Sequence, residues 1–239
     1  MKFLCIVPIF NEESKIKALL NEIELYNKKN FNVDFLIINN GSTDRSLEIL
    51  KKFNFRIISF NKNYGVGYAL MHGLSIALKE NYNYVIHLAG NGKMDPMQIN
   101  LLKDKIVKDG YNYINGSRFL KKNGYTSNPL GRIIMIKVLS FFISKIYKIK
   151  ITDATCGFRC FDVNLFKNHF EYLNNRKFYT YKYEYYTYGK AILSNKVRFA
   201  EVPVNMRYTK SNYSKIKPII DWLPIIFGWL EARFDNKKI

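Results

Sequence analysis

Over the first 116 residues, short apolar runs alternate with longer segments of helical periodicity, and each run stops at a polar loop carrying Gly or Asn. The apolar runs are residues 2–7, 33–38, 56–60 and 83–88. Between the first two, Ile16, Leu19, Leu20 and Ile23 recur at the spacing of one helix face. Ser42 or Thr43 is placed to cap a second helix bearing Leu47, Ile49 and Leu50, and a third helix runs through Ala77. Strands alternating with helices of this length predict an α/β fold whose sheet is mainly parallel and covered by helices.

Beyond residue 116 the pattern loosens. Residues 119–128 read as a polar loop, and 130–147 as a helix apolar on most faces, either buried or lying against lipid. Residues 153–161 and 197–204 read as strands, and 177–194 are rich in Tyr. Residues 216–234 read as an amphipathic helix, so the chain divides into one domain over 1–214 and a tail over 215–239. In that tail Trp222 and Trp229, with Lys215, Lys217, Lys237 and Lys238 around them, suit an anionic membrane surface; a docking helix or dimer interface is the alternative, which leaves a homo-oligomer open. No run reaches the roughly 18 uncharged apolar residues of a membrane span. Lys137, Lys145 and Lys148 interrupt the nearest candidate.

The chain has 38 Lys and Arg against 19 Asp and Glu, a net charge of +19. That favours anionic partners in general, such as membrane surfaces, phosphorylated ligands or nucleic acid. The basic residues are spread along the chain with no nucleic-acid motif, so nucleic acid is not the expected partner. The 26 Asn, together with abundant Lys, Ile and Tyr, also fit a general compositional drift. Cys5, Cys156 and Cys160 fit a reducing, cytoplasmic setting, and a C-x₃-C spacing without a second pair does not make a zinc site.

In an open parallel sheet, ligands bind beyond the carboxyl ends of the strands. Four loops fall there: residues 8–12, 39–44, 61–67 and 89–96. Each is rich in Gly or in side chains that hydrogen-bond, and glycine admits close approach of a backbone to a ligand. Gly65-Val66-Gly67 lacks the third glycine of a dinucleotide fingerprint and follows the wrong strand. His72, His87 and His169 are scattered, which argues against a histidine metal site or triad.

The ordered motifs resemble family 2 glycosyltransferases. Ile6-Val7-Pro8-Ile9-Phe10-Asn11-Glu12 is similar to that family's "VPxYNE", and Asn39-Asn40-Gly41-Ser42-Thr43-Asp44 to "DDGSTD". Asn63-Tyr64-Gly65-Val66-Gly67-Tyr68-Ala69 resembles "NxGxxxA", and residues 89–96 resemble "DADGQHDP". Gly116-Ser117-Arg118, the stretch Asp153 to Arg159, and Glu201-Val202-Pro203-Val204 with Arg207 and Ser214-Lys215 continue the likeness in order. The nearest branch is that of dolichyl-phosphate mannose synthase and its polyprenyl-phosphate relatives.

The resemblance implies a GT-A fold and transfer of a sugar, with inversion, from a nucleotide-diphospho-sugar to a lipid-phosphate or cell-envelope glycan acceptor. It implies a cytoplasmic enzyme resting on the inner face of the membrane. Pro8, Phe10 and Glu12 would line the nucleoside pocket, with Asn39 and Asn40 near base and ribose. Asn63, Ala89, Gly90 and Asn91 belong to the same donor site, and Gly65 and Gly67 would let the chain pass close to the nucleotide. Arg118, Arg132 and Arg207 would face the diphosphate or the acceptor phosphate, as suits forked guanidinium donors.

The departures from the pattern bear on metal. Both carboxylates of "DDGS" are Asn here, and the "DxD" pair is Ala89 and Asn91. Mg²⁺ or Mn²⁺ prefers carboxylate oxygen. A metal would be left with Asn91 and Asp95 as weak ligands, or none, and Lys93 with the arginines would neutralise the diphosphate instead. The alternative is a homologue that binds a nucleotide-sugar without turnover. A lipid-phosphate acceptor is already ionised and needs no general base; a hydroxyl acceptor needs one, with Asp153 as first candidate and Glu184 as second.

Overall fold

The computed structural model of the chain describes residues 1–30, 32–121, 130–207 and 222–237. In chain order the strands are β1 (Phe3–Ile9), β2 (Val33–Asn39), β3 (Arg56–Ser59), β4 (Tyr84–His87), β5 (Tyr113–Ser117), β6 (Arg159–Asp162) and β7 (Phe199–Pro203). The helices are α1 (Ile16–Lys29), α2 (Ser46–Leu50), α3 (Val66–Lys79), α4 (Ile99–Val107), α5 (Leu130–Tyr147), α6 (Phe170–Leu173), α7 (Lys182–Leu193) and α8 (Trp222–Phe234). The strands form one sheet in the order β3-β2-β1-β4-β6-β5-β7. Its first four members run parallel, β6 is antiparallel to both β4 and β5, and β7 is parallel to β5. The expected mixed, mostly parallel sheet is therefore present.

Alternation along β1 explains the two cores. Leu4 and Ile6 point to the face covered by α3, α7 and α8, while Phe3, Cys5, Val7 and Ile9 point to the face covered by α1 and α4. Side chains on successive strand positions face opposite ways, so a run apolar throughout must be covered on both sides. Hence the first strand contains no polar position between Phe3 and Ile9.

Three local expectations change. Residues 153–158 form a loop, and the strand expected over 153–161 is confined to Arg159–Asp162. The reason lies in Asp153, whose side chain binds nearby backbone and so competes with a sheet ladder. Ser42 and Thr43 do not cap α2: Ser42 Oγ accepts from the Asn11 N–H at 3.1 Å, and Asp44 Oδ1 accepts from the Ser46 N–H at 2.9 Å. The third is the tail. Its described helix, α8, packs on α7 with Trp229 fully buried, and Trp229 Nε1 donates to the Ala154 carbonyl at 3.2 Å. Trp229 is thus part of the core and does not face lipid; Lys215, Lys217, Lys238 and the 214/215 boundary lie outside the described residues.

α5 is two-faced although its composition is apolar almost throughout. Ile136, Ser140, Ile143 and Tyr147 are buried, whereas Leu130, Ile134, Met135, Val138, Phe141 and Phe142 are exposed. Among the described residues, no helix is long and apolar enough to cross a membrane.

Candidate active site

The carboxyl ends of β1, β2 and β4 open into a cavity of about 440 Å³. The end of β1 supplies Pro8 and the loop after it Phe10 and Glu12, the loop after β2 supplies Asn40, and the loop before α3 supplies Asn63 and Gly65. The loop after β4 supplies Ala89, Gly90, Asn91 and Lys93; Arg118 follows β5, and Arg132 comes from α5. The opposite wall is built from Thr155, Gly157, Thr180, Tyr181, Glu184 and Tyr185, and His87, Leu70 and Met206 also line the cavity. The lining pairs apolar surfaces with a few convergent polar groups, the usual character of a small-molecule site.

Hydrogen bonds between loops hold the cavity in shape. Asn11 Oδ1 accepts from the Thr43 N–H at 2.8 Å, joining the first two loops. The Asn40 amide works in both directions: Nδ2 donates to Asn63 Oδ1 at 3.0 Å, while Oδ1 accepts from the Tyr64 N–H at 3.0 Å. A carboxylate at position 40 could accept but not donate, so Asn suits this pairing where the family pattern has Asp. Asn63 Oδ1 also accepts from the Gly65 N–H at 2.8 Å.

Two expected nucleotide neighbours do other work. Asn39 lies just outside the cavity, donating to Ser59 Oγ at 2.7 Å and accepting from the Ser42 N–H at 3.2 Å. Gly67 is pressed against the chain at 178–180: a Cβ there would stand 2.0 Å from the Phe178 carbonyl oxygen, and its N–H donates to the Tyr179 carbonyl at 2.9 Å. Gly65 lines the cavity at φ +96°, and a Cβ there would lie 2.1 Å from the Tyr179 carbonyl oxygen. The two glycines therefore admit a neighbouring segment of the protein itself.

Arg118 and Asp153 form a buried two-point pair. Arg118 Nε and Nη2 donate to Asp153 Oδ2 and Oδ1, each at 2.7 Å, and Nη2 also donates to Thr155 Oγ1 at 2.6 Å. Asp153 is completely buried and does not line the cavity; Arg118 does. The general-base expectation for Asp153 is thereby replaced, because its oxygens are occupied in fixing the guanidinium. Such a two-point pair fixes the orientation of Arg118.

Arg207 also departs from its expected place. It lies off the cavity, with Nη1 on Glu22 Oε1 at 2.5 Å and Nη2 on Asp95 Oδ2 at 2.8 Å. Its backbone N–H donates to the Lys93 carbonyl at 2.9 Å. Arg207 thus braces the loop that carries Lys93 and does not line the cavity.

The second base candidate, Glu184, does line the cavity. Burial raises its carboxyl above the ordinary value, opposed by the nearby Arg159 charge. Arg159 is fully buried and ties α7 to the sheet: Nη1 donates to the Glu184 carbonyl at 2.6 Å, Nη2 to the Cys156 carbonyl at 2.8 Å, and Nε to Asn115 Oδ1 at 3.1 Å. His87 is buried between Phe161 and Tyr183, and burial with the Arg159 charge lowers it to about 3, so its imidazole is neutral. Of the 180–185 wall, sequence reading singled out Glu184 alone; it did not place His87, Thr180, Tyr181 or Tyr185 at the site, although Tyr181, Glu184 and Tyr185 stand at helical spacing.

A divalent cation does not fit this donor set. The Ala89 side chain has no donor atom, and the Asn91 amide oxygen accepts from the Lys93 N–H at 3.1 Å. Asp95 uses Oδ1 on the Met97 N–H at 2.9 Å and Oδ2 on Arg207. Among the described residues, no group of three or more His, Cys, Asp or Glu could hold a metal ion. Asp95 and Asn91 are thus accounted for by the loop's own bonding.

Comparison with known proteins bears on this architecture. The chain is 25% identical over 230 residues to the UDP-N-acetylglucosamine–dolichyl-phosphate N-acetylglucosaminyltransferase of Methanococcus voltae, covering 88% of this chain and 87% of that protein. It is 27% identical over 177 residues to a dolichyl-phosphate β-glucosyltransferase of Trichomonas vaginalis, covering 65% of this chain and 52% of that one. Among solved structures, glucosyl-3-phosphoglycerate synthase of Mycobacterium tuberculosis, in complex with Mn²⁺, UDP and phosphoglyceric acid, superposes with a TM-score of 0.71 at 14% identity, over 98% of this chain and 78% of that one. That likeness is one of fold, and the fold is GT-A. The model of "Glycosyl transferase family 2" matches residues 4–170, and the chain belongs to that family of glycosyltransferases.

Proposed function

We propose that the protein transfers a sugar from a nucleotide-diphospho-sugar to a polyprenyl phosphate at the cytoplasmic face of a membrane. The observation that carries this reading is the cavity itself, where Arg118, Arg132 and Lys93 line the same space as the strand-end loops that carry Pro8, Phe10, Asn40 and Gly65. The names of the dolichyl-phosphate relatives support the choice of acceptor. So does the chemistry. With Asp153 occupied by Arg118, the carboxylates lining the cavity among the described residues are Glu12 and Glu184. A phosphate acceptor requires neither as a base.

In this reaction an oxygen of the acceptor phosphate attacks the anomeric carbon as the bond from that carbon to the diphosphate oxygen breaks. The electron pair leaves with the nucleoside diphosphate, and the configuration inverts. Arg118, held rigid by Asp153, and Lys93 face charge that grows on the leaving diphosphate. Fixed donors aimed at developing charge are effective because they need no reorganisation during the reaction.

α5 supports the membrane setting. Arg132 lines the cavity from the first turn of this helix, while Ile134, Val138, Phe141 and Phe142 stand outward with Lys137 and Lys145 among them. An apolar face flanked by lysines suits the headgroup region of an anionic bilayer. It would bring a lipid phosphate to the cavity mouth. This reading moves the membrane contact from the tail tryptophans to α5.

The test is incubation of the purified protein with a panel of nucleotide-sugars and a polyprenyl phosphate in detergent. Formation of a glycosyl-phosphoprenol with release of nucleoside diphosphate is expected. If no nucleotide or nucleotide-sugar binds at millimolar concentration, the reading fails.

A further inference from the structure

We infer that the donor site neutralises the diphosphate with a lysine-centred cation cluster in place of a divalent metal ion. This rests on the reading of the cavity as a nucleotide-sugar site. Its own ground is the disagreement between the residues present and what a metal-dependent site requires.

The substitution is specific in place. The loop after β4 runs Ala89-Gly90-Asn91-Gly92-Lys93, so a side chain without a donor atom and a neutral amide stand where the family pattern has two carboxylates. Two residues further on, Lys93 puts a cation into the same cavity with only 5% of its surface exposed. A lysine is rarely so buried unless an anion accompanies it. The charged groups acting on it are Arg132 of α5, Lys15 ahead of α1, Arg118 after β5, and one carboxylate, Glu12. Glu12 is itself shared with Lys15, 3.6 Å away. Even with Arg118 paired to Asp153, the four cations Lys93, Arg132, Lys15 and Arg118 outnumber Glu12 and Asp153, a surplus of positive charge that a diphosphate would balance.

The loop is also braced so that Lys93 keeps its place. Its N–H is held by Asn91 Oδ1, its carbonyl accepts from the Arg207 N–H, and Arg207 is anchored on Asp95 and Glu22. Asp95, the surviving carboxylate of the loop, is thus spent on positioning and not on metal. A cation fixed on the protein supplies charge stabilisation without a metal's demand for carboxylate ligands.

The experiment is calorimetric titration of the full chain with UDP and with GDP, in EDTA and in Mn²⁺. Binding in EDTA within about twofold of that in Mn²⁺ is expected. Binding that needs Mn²⁺, or that tightens tenfold or more with it, overturns the inference and leaves the transferase reading standing. No binding under either condition overturns both. Lys93→Gln should weaken UDP in EDTA by about tenfold or more, with Lys93→Arg recovering most of the loss, and the unliganded melting temperature of Lys93→Gln should be equal or higher. Unchanged UDP affinity in a folded Lys93→Gln protein would remove Lys93 from the role.

Discussion

Two motif arginines, Arg118 and Arg207, meet acidic partners in opposite surroundings. The Arg118 pair with Asp153 has side chains 3% and 0% exposed, and its Arg118 lines the cavity. Arg207 is 44% exposed and bridges Glu22 and Asp95 at the rim, at 33% and 27% exposure. Both look alike in a motif. Burial separates their worth: removing one partner of a buried pair strands a charge in a medium that solvates it poorly, whereas water compensates at the rim.

The sharpest way to break the contrast is Asp153→Ala, which should cost about 3–5 kcal/mol because Arg118 stays buried without its counter-charge. Urea unfolding measures it; a loss under 1 kcal/mol would mean that Arg118 simply turns to solvent. A second inside–outside contrast lies between α8 and α5. Trp229→Ala on α8 should cost about 3–5 kcal/mol, since it removes a fully buried ring and its bond to Ala154. Next comes the rim: Arg207→Ala should lower stability by no more than about 1 kcal/mol. A larger loss would show that bracing of the Lys93 loop matters to the whole fold.

Phe141→Ser with Phe142→Ser should change stability by about 0.5 kcal/mol or less, because both rings are already exposed. The same double variant should lose most co-sedimentation with anionic liposomes; retained binding would move the membrane contact elsewhere. A further contrast between folded and unfolded chain is in pH. Lys93 sits at about 8 in the folded protein against an ordinary 10.5, so the unfolded chain holds this proton more tightly. Its cost to stability is complete below pH 8 and is relieved as pH rises toward 10.5. The melting temperature of Lys93→Met should therefore exceed that of the parent most at pH 7 and converge with it by pH 10, while UDP affinity of the parent falls as pH climbs through 8.

Much of the first half was legible from residue order. β1 to β4, α1 and α3 follow from apolar runs and helical spacing, and the strand-end loops give Pro8, Phe10, Glu12, Asn40, Asn63, Gly65, Ala89, Gly90, Asn91 and Lys93, all of which line the cavity. These residues sit close to one another in sequence or at recurrent strand ends, so local pattern reaches them. α4 and β5 passed unread, although Gly116-Ser117-Arg118 marked the end of the strand. Long-range partners were not legible: nothing local says that Asp153 will meet Arg118 or that Arg207 will meet Glu22, 185 positions away.

The sequence by itself determined the alternation of strands and helices, the loss of the paired carboxylates, the lysine that follows them and the excess of positive charge, because each is a matter of residue type and spacing. Tertiary structure alone decided which cations face the cavity, that Asp153 holds an arginine and is no free base, and that of two apolar helices α8 turns its tryptophan inward while α5 turns its phenylalanines outward. The physical reason is the same in each case. Charge and apolar surface take their energetic meaning from burial and from partners, and both are fixed only when distant parts of the chain meet.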